Sequence, residues 1–270
     1  MNIAVPLRLL GQSGYRLEYP GCVIYVDPYL SNSVQEMDAP DLERLVPIAV
    51  QPDHVLDADW VLITHDHIDH CDPHTLPQLS AASPGCRFMG PPPVLERLRE
   101  WGITPDRLRP ALEAWGELGP DLRVHALPAA HPTPRRDQNG NSLCVGYLLE
   151  HAGSRLYLAG DTSVTQELLD ALKKHTPICT AILPVNEHNF FRARRGIVGN
   201  MSIREAFLLA EELGIDHVVP VHWDMFAVNA VDPEEIRAVY RQMRPRFQLL
   251  LQPQTLPMEG QCRSASSSVP

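Results

Sequence analysis

The stretch Thr64-His65-Asp66-His67-Ile68-Asp69-His70 decides the fold. Three imidazoles and two further carboxylates lie between positions 65 and 70, directly after the apolar run of residues 60–63. Imidazole and carboxylate side chains bind borderline divalent ions such as Zn²⁺ and Mn²⁺. Because a strand that ends in such a cluster directs its donors to one spot above the sheet edge, the stretch predicts a metal site. A polar loop that is merely rich in histidine is the alternative interpretation.

Three more candidate ligands each follow a predicted strand: His131, Asp161 and His222. Each residue also has an ordinary structural interpretation, as a loop histidine, a turn residue or a packed imidazole. Ligands at strand ends converge on one edge of a layered α/β fold, where open active sites form. Their joint occurrence after strands therefore favours one site shared with residues 65–70.

The order of predicted elements is strands first, then alternating helices and strands. The alternating runs Tyr15–Tyr19 and Cys22–Val26 predict a hairpin, and Trp60–Ile63 predicts the strand before the metal loop. This order predicts two sheets packed face to face with helices outside, a four-layer αββα sandwich of the α/β (α+β) class. Helices are predicted after Asp72 as N-cap and over Pro92–Trp101, Thr165–Lys174, Ser202–Leu213 and Pro233–Arg244, with a short helix near Leu42–Val46.

The length and composition predict one domain with a large core. The chain has 270 residues, of which 44% are hydrophobic, and this suits one large α/β domain or two small ones. We expect a single domain over residues 1–257. Residues 258–270 read as a flexible tail. The polar, proline-rich segment 31–59 is a candidate flap over the site.

Charge and targeting signals narrow the class of protein. The formal net charge is −10, and the chain lacks the excess of basic residues that nucleic-acid binders usually carry. The N-terminus has no signal-peptide pattern, and no apolar run approaches the roughly 20 residues that span a bilayer. The six cysteines form no CxxC pair, so we expect a reduced, cytoplasmic protein. Cys71, beside His70, is expected to pack near the site rather than to bind metal.

Spacing alone assigns part of the ligand set. His65 and His67, two positions apart on an extended loop, point the same way and can share a first ion. Asp69 and His70 lie further round the turn and face a second ion. Three donors are still needed from distant parts of the chain.

The His65-x-His67-x-Asp69-His70 run, followed by His131, Asp161 and His222, resembles the metallo-β-lactamase superfamily. The resemblance extends from residue 27 to residue 222. More narrowly, Gly199–Ser202 and Val221–Phe226 resemble the L-ascorbate-6-phosphate lactonase (UlaG)-like branch.

The resemblance implies a role for each matching position. It implies His65, His67 and His131 as ligands of a first ion, Asp69, His70 and His222 as ligands of a second, and Asp161 as a bridge between them. Asp27, Thr64 and Thr162 would support the ligands through hydrogen bonds. The superfamily default is Zn²⁺ and the lactonase branch is associated with Mn²⁺, so the sequence leaves the identity of the two divalent ions open.

The implied activity is metal-dependent hydrolysis by water activated between the ions, with Asp69 orienting that water and shuttling its proton. The expected substrate is a small anionic lactone resembling a sugar-acid lactone phosphate. A phosphodiesterase acting on a small phosphodiester or cyclic nucleotide is the first alternative. The second is a non-catalytic binding protein that retains the metals.

Residues 186–196 carry the most distinctive remaining pattern, because arginines cluster there in an acidic chain. Such a cluster predicts a clamp for phosphate or carboxylate, and a solvated surface or an oligomer contact is an equal alternative. We expect a small anionic substrate as partner, no nucleic acid and no membrane, and leave a homo-oligomer open. The candidate substrate-binding residues are Asn186, His188, Arg192, Arg194, Arg195, Asn200 and Asp224.

Overall fold

Two seven-stranded sheets form the centre of the computed structural model, which describes residues 4–258. The strands in chain order are β1 (Ala4–Gly11), β2 (Gly14–Tyr19), β3 (Cys22–Val26), β4 (Trp60–Leu62), β5 (Arg87–Gly90), β6 (Leu108–Pro110), β7 (Gly116–Gly119), β8 (Leu122–Pro128), β9 (Val145–His151), β10 (Ser154–Leu158), β11 (Thr180–Pro184), β12 (His217–Val221), β13 (Gln248–Leu249) and β14 (Thr255–Pro257). The first sheet has the order β14-β1-β2-β3-β4-β5-β6, and the second β13-β12-β11-β10-β9-β8-β7.

Both sheets are mixed, and their parallel parts carry the candidate site. Strands β3 to β6 are parallel in the first sheet, and β10 to β13 in the second. Strand β8 also runs in the direction of β10, because each pairs antiparallel with β9. The carboxyl ends of β4, β8, β10 and β12 are where the candidate ligands follow.

Helices are divided between the two outer faces. The helices are α1 (Leu76–Ala82), α2 (Pro92–Glu100), α3 (Gln166–Lys173), α4 (Phe190–Ala193), α5 (Ile203–Leu213) and α6 (Pro233–Met243), with a π-helical turn at Val34–Asp38 and 3-10 turns at Pro52–His54 and Pro105–Arg107. Buried residues of α1 and α2 pack on the first sheet, and those of α3, α5 and α6 pack on the second. A third apolar cluster, which includes Leu17, Leu62 and Tyr147, fills the space between the sheets. The predicted four-layer αββα sandwich is confirmed.

Local sequence signals fix several helix ends where they were predicted. The Ser202 hydroxyl accepts from the Glu205 N–H while the Glu205 carboxylate accepts from the Ser202 N–H, which is a capping box at the start of α5. Gly214 ends that helix in the left-handed conformation at φ 65°. The Asp232 side chain caps α6 by accepting from the Glu234 N–H.

Two predicted helices differ in the structure. Residues 42–46 are not helical, because the Leu45 N–H donates to the Met225 carbonyl and Arg44 pairs with Phe226 as an isolated β-bridge. These tertiary bonds replace the local ones that a helix needs. The helix predicted to begin after Asp72 begins at Leu76 instead, since the Asp72 carboxylate holds residues 73–75 in a turn by accepting from the His74 N–H and the Thr75 hydroxyl.

The end of the described chain packs onto the core. Met258, the first residue of the predicted tail, is fully buried between the sheets. The remainder of that predicted tail, residues 259–270, lies outside the described residues. Between residues 4 and 258, no helix has the length and apolar character that crossing a bilayer requires.

Candidate metal centre

The predicted ligands come from both sheets and meet at one edge. The loop carrying residues 65–70 follows β4 of the first sheet. His131, Asp161 and His222 come after β8, β10 and β12 of the second sheet. Because these strands end on the same side of the sandwich, residues far apart in sequence are brought within contact distance.

The first group of candidate ligands consists of three histidines. The ring of His131 lies 5.0 Å from that of His65 and 4.8 Å from that of His67, measured between centroids. Nε2 of His131 is 3.2 Å from Nδ1 of His67. One nitrogen of each ring lies within 4.8 Å of the other two, a spacing at which three imidazoles can bind one cation.

The second group consists of Asp69, His70 and His222, whose ligand atoms also lie within 4.8 Å of one another. Oδ2 of Asp69 is 3.6 Å from Nε2 of His70 and 3.7 Å from Nε2 of His222. The two groups therefore offer three nitrogen or oxygen donors each.

The carboxylate of Asp161 contacts both groups. Its Oδ1 lies 3.4 Å from Nε2 of His70, and its Oδ2 lies 3.1 Å from Nε2 of His222 and 3.6 Å from Nε2 of His131. This position suits a carboxylate shared by two cations, which is the role that the resemblance implies.

Two buried ring nitrogens test whether the residues fit a cation. Nε2 of His65 and Nε2 of His70 are buried and have no hydrogen-bond partner within residues 4–258. Buried polar atoms are normally hydrogen-bonded, because an unpaired one costs free energy. Each atom belongs to a His and Asp cluster with ligand spacing. Divalent cations bound at these clusters would satisfy both nitrogens, so the residues present fit the metal site.

Charge states in the site favour cation binding. Burial, with the neighbouring histidines, holds the pKa of His65 well below its ordinary value, and burial lowers the pKa of His131 to about 4. Both imidazoles are therefore neutral near pH 7, which is the form that ligates metal. Burial raises the pKa of Asp161, but His222 and His70 outweigh burial and hold that pKa well below its ordinary value. Asp161 is therefore ionised.

The pKa values of His70 and His222 shift in the opposite direction from those of His65 and His131. Burial lowers the pKa of His70, but the carboxylates of Asp161, Asp69 and Asp27 outweigh burial and raise it well above its ordinary value. Asp161 and Asp69 raise the pKa of His222 in the same way. Cation binding must therefore compete with protonation of these two rings.

The predicted supporting residue Asp27 contacts the metal loop directly. Its Oδ1 accepts from the Thr64 N–H at 2.8 Å, and its Oδ2 accepts from the Thr64 hydroxyl at 2.7 Å. Nδ1 of His70 lies 2.8 Å from the same Oδ2. A proton on Nδ1 directs Nε2 of that ring, the atom without a partner, to the cluster.

Thr162 supports the loop of His131 rather than a ligand ring. Its hydroxyl accepts from the Ala130 N–H at 2.9 Å and donates to the Ser163 carbonyl. Gly160, at φ 59°, lets this segment approach the metal loop, because a Cβ there would lie 2.6 Å from Cγ2 of Thr64.

Gln12 is a site residue that the sequence analysis missed. Its Nε2 donates to Oδ2 of Asp69 at 2.6 Å and lies 3.1 Å from Nε2 of His222. Its backbone is held by the Asp224 carboxylate, which accepts from the Gln12 N–H, and by the His222 N–H, which donates to the Gln12 carbonyl. The one sequence signal is a polar residue in the turn Gly11–Gly14.

An open cavity of about 560 Å³ lies over the two groups of candidate ligands. Gln12, Asp69 and Asp161 are exposed to it together with His67, His131 and His222. The predicted flap, residues 31–59, contributes Val34, Met37, Asp38 and Leu42 to its lining.

None of the predicted substrate-binding residues lines this cavity. Arg192 donates to the carbonyls of Glu187 and Val228, Arg194 lies over the ring of Phe190, and Arg195 pairs with Asp41. These arginines therefore have structural or surface contacts. The same loop lines the cavity through its next residues, 196–198.

The other four predicted substrate residues lie behind or beside the cavity. Asn186 and Asn200 are buried and hydrogen-bonded to each other, and Asn186 also donates to Asn229, which does line the cavity. His188 is exposed on the surface. Asp224 contacts the Gln12 backbone.

Comparisons with known proteins agree with this geometry. A model described as Beta-lactamase superfamily domain matches residues 23–223, which include all seven candidate ligands. The chain belongs to the metallo-β-lactamase superfamily. Membership places it in a superfamily of metal-dependent hydrolases.

Relatives of this superfamily member are distant. It is 29% identical over 219 residues to an uncharacterised protein of Mycobacterium tuberculosis, covering 80% of this chain and 58% of the relative. It is 26% identical over 234 residues to a UPF0173 metal-dependent hydrolase of Pyrobaculum neutrophilum, covering 86% and 90%. It is also 26% identical over 226 residues to a probable L-ascorbate-6-phosphate lactonase UlaG of Salmonella newport, covering 78% and 61%. The chain thus spans less than two thirds of the mycobacterial and lactonase relatives.

Solved structures share the fold. The metallo hydrolase Igni18 of Ignicoccus hospitalis superposes with a TM-score of 0.67 at 22% identity, covering 96% of this chain and all of that one. A possible metal-dependent hydrolase of Veillonella parvula gives a TM-score of 0.72 at 15% identity, covering 95% and 99%.

Proposed function

We propose that this protein is a metal-dependent hydrolase that opens a small anionic lactone. The observation that carries the proposal is the convergence of two three-residue ligand groups and the shared Asp161 at the base of one open cavity. The similarity to a protein named as a probable lactonase supports the lactone as substrate.

When bound, divalent cations at the two groups would supply an activated water and a positive charge for the carbonyl oxygen of the substrate. His65, His67 and His131 would hold one cation, Asp69, His70 and His222 the other, and Asp161 would contact both. We retain Zn²⁺ and Mn²⁺ as candidates, because a set of nitrogen and oxygen donors accepts either.

Asp69 is the residue that we assign to proton transfer. Burial raises its pKa, but His70 and His222 outweigh burial and lower it, so the carboxylate is ionised and can accept a hydrogen bond from water. The Gln12 amide fixes its Oδ2, which orients the carboxyl plane. Oδ1 then orients the attacking water and relays its proton to the leaving alkoxide.

The test combines metal analysis with a substrate panel. Purified protein, reconstituted with Zn²⁺ or Mn²⁺, would be assayed with γ- and δ-lactones and with an aryl phosphodiester. We expect about two metal equivalents and lactone turnover in the parent, with both reduced in His67→Ala and Asp161→Ala. His54→Ala, which removes an exposed histidine outside the site, is the matched control.

Each other outcome selects a different function. Turnover of the phosphodiester without any lactone would replace the lactonase with the phosphodiesterase. Full metal loading without turnover of either class would favour the non-catalytic binding protein. Failure to load metal would overturn the hydrolytic mechanism.

A further inference from the structure

The cavity over the two ligand groups has polar candidate ligands at its base and apolar side chains elsewhere in its lining. We use the name apolar wall for seven of these apolar residues: Val34, Met37, Leu42, Ile197, Val198, Phe226 and Val228. A substrate bound at the base either lies against this wall or leaves water on it. Because removing water from apolar surface is favourable, an apolar substituent on the substrate would strengthen binding.

The apolar wall is a built surface. Val34 and Phe226 are 3% and 4% exposed, and they pack with Tyr29 and Met225 in one apolar cluster. Backbone contacts join two segments of the wall, since the Leu45 N–H donates to the Met225 carbonyl and Arg44 pairs with Phe226 as a β-bridge. The part of the wall around Val34, Leu42 and Phe226 is therefore held in place before a ligand arrives.

Lysine and arginine contribute one side chain to the lining of the cavity. Among the described residues that line it, Arg97 of α2 is the one lysine or arginine, and Trp101 lies beside it one turn later. The Arg97 guanidinium is 3.3 Å from the Asp66 carboxylate, and Asp38 adds another carboxylate to the lining. Away from the two ligand groups, a phosphate dianion would meet one arginine that is already paired with Asp66, whereas a single carboxylate can be paired there.

We propose that the substrate is a lactone or ester with an apolar substituent of several carbons and at most one negative charge. The substituent lies on the apolar wall, and the anion lies at Arg97. The inference rests on the proposed hydrolase function for the reacting bond. Water adds to the acyl carbon, the acyl C–O bond breaks, and the products are a hydroxyl group, a carboxylate and one proton.

A homologous series of substrates tests the proposal on the unmodified protein. γ-Lactones that carry alkyl chains of zero to six carbons would be compared with a sugar-acid lactone phosphate, using the metal-loaded protein. We expect kcat/KM to rise about fourfold per added methylene, because each buried methylene contributes about that factor, with most of the gain in KM. The phosphorylated lactone should be the poorest substrate. A flat series, or preference for the phosphorylated lactone, would overturn the inference and leave the hydrolase function intact.

Three variants locate the effect in the cavity. Val198→Asp places a carboxylate on the wall and should abolish the chain-length dependence. Arg97→Gln should raise KM about tenfold for lactones that bear a carboxylate and leave the neutral series unchanged. Arg194→Gln removes an exposed arginine that does not line the cavity, and should match the parent in both series. Loss of the chain-length dependence in Arg194→Gln, or its survival in Val198→Asp, would contradict binding of the substituent at the apolar wall.

A binding measurement separates this inference from the hydrolase function. Octanoate and 6-phosphogluconate would be titrated into metal-free protein while tryptophan fluorescence is recorded. We expect octanoate to change the emission of Trp101, and expect Trp101→Phe to lose that change. Octanoate binding without turnover of any lactone would overturn the lactonase function and keep the apolar site. Binding of 6-phosphogluconate in preference to octanoate would overturn the apolar site.

Discussion

Asp27 connects the start of the metal loop, at Thr64, with the imidazole of His70 at its end. Its carboxylate is 1% exposed, accepts from the N–H and hydroxyl of Thr64, and contacts Nδ1 of His70. A carboxylate placed in this way fixes the tautomer of the ring and the direction of its second nitrogen. The geometry of the second ligand group therefore depends on a residue behind it.

Asp27→Asn should weaken metal binding and destabilise the fold. The new amide nitrogen would face donors, so at least one buried hydrogen bond is lost, which costs about 1–3 kcal/mol. Metal affinity should fall roughly 10–100-fold, because the orientation of His70 is no longer fixed. Competition with a chromogenic chelator measures the first effect and urea unfolding the second. Asp53→Asn, at an exposed position, is the control; equal metal affinity in both variants would contradict the role of Asp27.

Gln12 acts at the same scale as a positioning residue for Asp69. Gln12→Ala removes the hydrogen bond to Oδ2 and should lower kcat roughly tenfold with a smaller change in KM, because the carboxylate loses its fixed orientation. Steady-state kinetics across pH would also show a shifted kcat profile, which a purely structural role would not produce. Gln51→Ala, at an exposed glutamine, is the matched control. An unchanged profile in Gln12→Ala would exclude the positioning role.

At the scale of elements, α5 illustrates how local sequence signals define a boundary. The capping box of Ser202 and Glu205 fixes its start, and the left-handed Gly214 fixes its end. Its buried residues, among them Phe207 and Leu213, pack on the second sheet. The helix begins three positions after Asn200, which lies behind the cavity.

Ser202→Ala should lower the free energy of unfolding by about 1 kcal/mol, because the Glu205 N–H at the start of α5 loses its acceptor, while the Ser202 N–H keeps the Glu205 carboxylate as partner. Ser202→Thr keeps a hydroxyl and should lose only a fraction of that amount. Urea unfolding of both variants beside the parent measures the difference. Equal stability of Ser202→Ala and the parent would show that water replaces the cap without cost.

Strand β8 and the turn after α3 place two histidines in contact at the rim of the second sheet. The rings of His125 and His175 are 4.5 Å apart, and each lies against Trp115. Burial lowers the pKa of both histidines. The Glu113 carboxylate partly raises the pKa of His125 again, whereas Arg155 and Lys174 lower the pKa of His175 further. Glu150 also faces this pair and acts on His175 in the opposite sense.

The sign of the pH effect follows from these lowered pKa values. The unfolded chain protonates at its ordinary histidine pKa of about 6.5, whereas the folded pair stays neutral to lower pH. Stability should therefore fall as pH decreases below about 6.5. Urea unfolding at pH 7.5 and 5.5 should show a smaller decrease for His175→Asn than for the parent. The exposed His54→Asn is the control; identical decreases in parent and His175→Asn would contradict the assignment.

At the scale of the whole molecule, the site joins the two sheets. The first sheet supplies Gln12 and the loop of residues 65–70, and the second supplies His131, Asp161 and His222. A cation bound by donors from both sheets would bind the folded chain and not the unfolded one, so loading must stabilise the sandwich.

Metal loading should raise the melting temperature, and chelation should lower it. At a free metal concentration 100-fold above Kd, the stabilisation is about 2.7 kcal/mol, which corresponds to roughly 5 °C or more for a chain of this size. Calorimetry with added Zn²⁺ or Mn²⁺ and with EDTA measures the shift. The double variant His67→Ala and Asp161→Ala should show almost no shift. Identical melting of loaded and chelated parent protein would contradict a site that spans the sheets.

The sequence by itself predicted the αββα sandwich, the bounds of α5 and α6 to within one residue and, through the family resemblance, the seven candidate ligands. Strand periodicity and capping residues are local signals, and each is confined to a few neighbouring positions. Only the tertiary structure decided that Gln12 contacts Asp69, 57 positions away, and His222, 210 positions away. It also decided that Arg97, and not the arginines of residues 192–195, lines the cavity. A loop side chain takes its place from long-range packing, and local sequence patterns do not encode that packing.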